Sequence, residues 1–174
     1  METDLFVHFA EIAGVFVGFG ALISVRSAPV SDVHSVVYLQ GVLGLGVWVV
    51  ISALIPIAVS QYGVDDHWLW LSCAVVAIAI WAIFMIVFNR SSDSRQLSRS
   101  RQRIDRIFPF VGLPLNVCIA GSMVLIITNL SPGNDVALYV TGLTAAVIFA
   151  GYTLLALVMS QQRGSGGDKR QGEP

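Results

Sequence analysis

Residues Trp68–Phe88 read WLWLSCAVVAIAIWAIFMIVF, 21 residues with neither a charge nor a proline. A helix rising ~1.5 Å per residue covers ~31 Å in that length, which is the thickness of a bilayer's hydrocarbon core. No period-2 alternation runs through the stretch, so a barrel strand does not fit. A helix, which closes its own backbone hydrogen bonds, does. The run stops at Asn89–Ile107, NRSSDSRQLSRSRQRIDRI, which carries six arginines: Arg90, Arg95, Arg99, Arg101, Arg103 and Arg106. An apolar span that ends in an arginine cluster predicts a loop held on one side of a membrane.

Working outward, four further runs have the same character: Leu5–Val25, Val36–Ser60, Phe108–Thr128 and Val136–Ser160. The whole chain is 55% hydrophobic and 12% charged, with mean hydropathy +0.75; an ordinary soluble domain is ~25% charged. One soluble core of 174 residues does not hide that much apolar surface. The expected fold is therefore an all-α, polytopic membrane bundle of five transmembrane helices, one domain over residues 1–160. Residues 161–174, QQRGSGGDKRQGEP, are predicted to form a disordered cytoplasmic tail.

The connections orient the bundle. The remaining basic residues are Arg26 after the first span and Arg163, Lys169 and Arg170 in the tail. The N-terminal segment, Gln61–His67 and Asn129–Asp135 have none. With five spans all ten basic residues fall on one side, whereas four spans divide them. The positive-inside rule then predicts an N-terminus outside and a C-terminus in the cytoplasm, in a bacterial plasma (inner) membrane. The opening Met1-Glu2-Thr3-Asp4 is acidic where a secretory leader is basic, so the first span is expected to be retained. Tyr62, Trp68, Trp70 and Tyr139 are expected interface anchors at the outer ends, with Tyr38, Phe108 and Phe110 at the inner ends. Leu97, Ile104 and Phe108 give the arginine loop the pattern of a short surface helix, though a solvated basic loop accounts for it equally. Cys73 and Cys118 fall in different spans at different depths, so buried free thiols are expected.

Chemistry is sparse. No GxxxxGK[ST], HExxH, CxxC or GxSxG motif occurs, and the chain is not expected to be an enzyme. No cofactor, metal or nucleic acid is assigned. Asp65, Asp66 and His67 share a predicted depth with His8 and Glu11, but nothing in the sequence sets their distances, and a metal site is not assigned. Asn129-Leu130-Ser131 matches a glycosylation sequon in a loop too short to leave the membrane surface. Two ladders of small residues, Ala10, Gly14, Gly18 and Gly142, Ala146, Ala150, repeat every four residues and predict close helix packing. Pro114 frees the carbonyl of Phe110, so a kink or a cavity edge is expected there, with Asn116 near enough to satisfy loosened backbone. Pro56, with Ser52 four residues earlier, reads the same way.

Glu11 is the one carboxylate inside a span. It lies ~9 Å from Leu5 along the helix, with His8 one turn outward on the same face. Sliding the span to Ile12–Ala28 moves Glu11 to the outer interface, at the cost of a span only ~25 Å long. From these residues the first functional expectation is a proton or cation channel or transporter with Glu11 and His8 on the ion pathway. The alternative is a non-catalytic membrane subunit or anchor that binds a partner membrane protein, and the third is a quinone or metal redox subunit. In each case the chain is expected to form a homo-oligomer in the lipid bilayer, because five spans enclose little interior alone.

Overall fold

A computed structural model describes residues 3–26, 33–64, 66–90 and 103–167 of the chain. Five helices account for almost all of them: α1 Thr3–Arg26, α2 Val33–Ser60, α3 Asp66–Arg90, α4 Arg103–Ile127 and α5 Asp135–Gly167. Each is long and apolar enough to cross a membrane, and no strand occurs among the described residues. The helices outrun the apolar runs. Helix α4 starts at Arg103, inside the expected loop, and α5 continues to Gly167, into the expected tail. A helix need not stop where its side chains turn polar, because its hydrogen bonds run between backbone groups. The arginine loop over 91–102, Asp65 and the tail over 168–174 lie outside the described residues.

Two turns show why the chain reverses where it does. Helix α4 ends with Asn129 at φ 52°. The Asn129 N–H donates to Ile126 O and the Leu130 N–H to Leu125 O, the paired bonds of a Schellman cap. Asparagine tolerates that left-handed conformation, so a structural reason exists for the first residue of the sequon. Ser131-Pro132-Gly133-Asn134 then turns back, with Gly133 at φ 87° and the Asn134 N–H donating to Ser131 O. Proline second and a positive-φ glycine third are the marks of a type II turn.

Helices α2 and α5 form the centre. Helix α1 packs on both, α3 packs on α2 and α4 and touches α5, and α4 lies against α3 and α5. The core is Trp48, Val49, Ala53, Cys73, Ala77, Met123, Tyr139, Leu143 and Ala146 with their neighbours. Glycines set the closest approaches. An added Cβ on Gly46 of α2 would lie 2.5 Å from Val17 Cγ2 and 3.3 Å from the Ala13 carbonyl oxygen. One on Gly44 would run into the ring of Phe84, and one on Gly142 would lie 2.5 Å from Ser122 Oγ. The outside of the bundle is apolar as well, with Leu22, Ile83, Val87, Leu113 and Leu155 more than half exposed. A surface of that kind is unstable in water and is what lipid requires.

Two expectations are corrected. Trp70 and Tyr139 are not interface anchors: they are buried in an aromatic cluster with Phe6, ring centroids 5.5–6.2 Å apart. Tyr38 is buried as well, whereas Tyr62, Trp68 and Phe110 are exposed. Trp70 and Tyr139 can be buried because their rings pack on each other and on Phe6, and the Tyr139 hydroxyl finds an acceptor in Ser52 O. Both cysteines are free, but Cys118 faces outward and only Cys73 is buried.

Candidate functional site

The registers between helices set the depth of Glu11. Ala13 lies against Gly46, and α1 and α2 run antiparallel, so Glu11 is level with about Trp48. Trp48 is next to the middle of the apolar stretch Tyr38–Ser60. Helix α1 runs parallel to α5, with Phe6 beside Tyr139 and Phe16 beside Gly151. Glu11, midway between those two phenylalanines, is therefore level with about Ala145. That position is ~3 Å from the middle of Asp135–Met159. Both neighbours put the carboxylate at mid-span. Sliding α1 toward the interface would pull Phe6, 1% exposed, out of the Trp70–Tyr139 cluster.

At that depth Glu11 faces away from the bundle. Its side chain is 65% exposed and that of His8 68%, and His8 Nδ1 lies 3.1 Å from Glu11 Oε2. Among the described residues neither Glu11 Oε1 nor His8 Nε2 has a partner. At 3.6 residues per turn, His8, Glu11, Gly14, Val15, Gly18 and Leu22 share roughly 120° of arc. All six are exposed. A Cβ added to Gly14 or Gly18 meets nothing within 4 Å. The opposite face of α1 carries Phe6, Ala13 and Gly20, all buried against the bundle.

The two ladders thus have different fates. Gly142, Ala146 and Ala150 are buried, and Gly142 faces Ser122 and Met123 of α4. Ala10 is half-buried against the core, but Gly14 and Gly18 are uncovered. Pro114 is exposed on α4, which continues through it. Asn116 donates Nδ2 to Gly112 O at 2.8 Å, and its buried Oδ1 has no partner. Of the interior hydroxyls, Ser122 Oγ donates to Ile119 O and Thr153 Oγ1 to Phe149 O, whereas the buried Ser52 Oγ has no partner among the described residues.

One polar contact was not anticipated. His67 Nδ1 lies 2.9 Å from Oδ2 of Asp135, joining the first turns of α3 and α5. Asp135 is 7% exposed and its Oδ1 has no partner. The partners are 68 positions apart, so no local spacing could have revealed the pair. His8 and His67 therefore each have their own carboxylate, and no group of three metal-ligating side chains occurs among the described residues. Comparison with protein-family models, with curated proteins and with solved structures finds no match to this chain.

Proposed function

We propose that this chain is a non-catalytic subunit of a membrane assembly, and that the outward face of α1 docks another transmembrane helix. The observation that carries the reading is Glu11, at mid-span yet 65% exposed on the outside of the bundle. An ionised carboxylate in hydrocarbon costs several kcal/mol, and a polar pair facing acyl chains forgoes hydrogen bonds that a neighbouring helix supplies. Gly14 and Gly18, uncovered beside it, allow a second backbone to come close. The test is a benzophenone amino acid in place of Val15 on this face, beside one replacing Val117 on the outward face of α4, irradiated in native membranes. The expected result is a protein adduct from position 15 and lipid adducts from position 117. Lipid adducts alone at both positions would overturn the reading.

A second reading, movement of protons or cations, is favoured by the titratable imidazole–carboxylate pair at that depth. The route would run between subunits along α1, because that is the face on which the pair is exposed. Purified protein in liposomes should then carry a proton or cation flux that Glu11→Gln reduces and Asp4→Asn does not. An unchanged flux in Glu11→Gln rules out this carboxylate as the pathway.

A further inference from the structure

Resting on the docking reading above, we infer that the helix received by α1 is the α1 of a second copy, with His8 of each copy bonded to Glu11 of the other. The argument begins with protons. In hydrocarbon a net-neutral pair is the least costly state of an imidazole beside a carboxylate. One proton then lies between His8 Nδ1 and Glu11 Oε2, on either atom, and a second is on Nε2. In both arrangements, among the described residues, Nε2–H is a donor without an acceptor and Oε1 an acceptor without a donor. Each copy therefore presents one unused donor and one unused acceptor, three residues apart on one exposed face. That is a self-complementary surface.

Two copies inserted the same way are related by a two-fold axis along the membrane normal, so their first helices run parallel and equal residues meet at equal depth. His8 is ~4.5 Å along the axis from Glu11, within reach of an imidazole leaning toward the partner's carboxylate. Both unused atoms are satisfied at once, and the symmetry duplicates the contact. Gly14 and Gly18 continue the same face toward the other end of the span and bring no side chain between the two backbones. A foreign helix bearing a lysine or arginine would meet Glu11 but leave the Nε2–H of His8 without an acceptor. The charge pattern of α1 thus fits a second α1 better than a basic helix.

The experiment uses full-length protein in two differently tagged forms, co-reconstituted in 3:1 phosphatidylethanolamine:phosphatidylglycerol vesicles with no other protein. Both carry Cys73→Ala, Cys118→Ala and Leu22→Cys, the new thiol lying on the docking face. Mild oxidation should give mixed-tag disulfide dimers, whereas Val117→Cys in the same background should not. Glu11→Leu or His8→Phe should lower the dimer association constant about three- to tenfold, the range for interhelical polar contacts in bilayers. The exchanged pair His8→Glu with Glu11→His should recover most of it. Circular dichroism and thermal unfolding of each variant confirm that the bundle is intact. Absence of mixed dimers in these vesicles, while position 15 still captures a different polypeptide in native membranes, overturns the second-copy proposal and leaves the docking reading standing. No protein adduct in either setting overturns both. Mixed dimers indifferent to Glu11 and His8 overturn the proposed contact.

Discussion

His67 and Asp135 show what one polar side chain does at the rim of an apolar bundle. Asp135 is in the first turn of α5, where a negative charge complements the helix dipole. Burial removes the water that would otherwise solvate its carboxylate, and among the described residues His67 supplies the one side-chain hydrogen bond to it, at 2.9 Å. Replacing His67 with alanine strands the carboxylate, and the expected loss is about 2 kcal/mol of unfolding free energy. Asp135→Asn in the same chain should recover part of that loss, because a neutral amide is less costly to strand than a charge. Unfolding in mixed micelles, followed for both single variants and the double, measures the coupling. Additive losses would mean that the two side chains do not interact.

At the scale of the element, Pro56 explains a tyrosine. A proline at position 56 of α2 supplies no N–H for the carbonyl of Ser52, one turn earlier. Tyr139 Oη donates to that carbonyl at 2.7 Å from across the bundle. Tyr139→Phe should therefore destabilise the protein by about 1 kcal/mol. In a Pro56→Ala background the cost should shrink, since alanine restores the helical donor; an unchanged cost would deny the link. Glycines make a second contrast. Gly142→Leu must displace Ser122 and Met123, and overpacking of this kind is expected to cost about 1–3 kcal/mol of bundle stability. Gly14→Leu projects into open space on α1 and should leave monomer stability within about 0.5 kcal/mol. Thermal unfolding of monomeric protein in detergent separates the two glycines from any effect on association.

For the whole molecule the outstanding quantity is orientation. Arg26, Arg90, Arg103, Arg106 and Arg163 lie at helix ends on one side of the alternating helices, and the other five basic residues follow α3 or α5 in sequence, while the turns over 61–64 and 128–134 carry none. Reporter fusions after Arg163 are expected to read cytoplasmic, and fusions at Asp65 and Pro132 outside. A cytoplasmic signal at Asp65 would contradict that orientation. Moving arginines to the turn over 61–64 should erode the preference, because the retained charge and not the fold decides which end stays behind.

The five helices were legible along the chain because lipid imposes a local requirement: about twenty consecutive apolar residues, charges confined to the ends, and a backbone satisfied within the segment. Nothing distant is needed to read Trp68–Phe88. Which face of each helix meets protein was not legible. Lipid and protein interiors are both apolar, so the side chains of α1 carry almost no contrast between the two directions. The ladder Ala10, Gly14, Gly18 and the ladder Gly142, Ala146, Ala150 have the same spacing, yet Gly14 and Gly18 are uncovered on α1 while all three of the second ladder are buried. The depth of Glu11 was equally open, because α1 taken alone can slide. Contact of Phe6 with Trp70 and Tyr139, and of Ala13 with Gly46, removes that freedom. Sequence alone placed a carboxylate in the first apolar run, either within the span or at its outer interface. Only packing between helices decided that it stays at mid-span and points away from its own bundle.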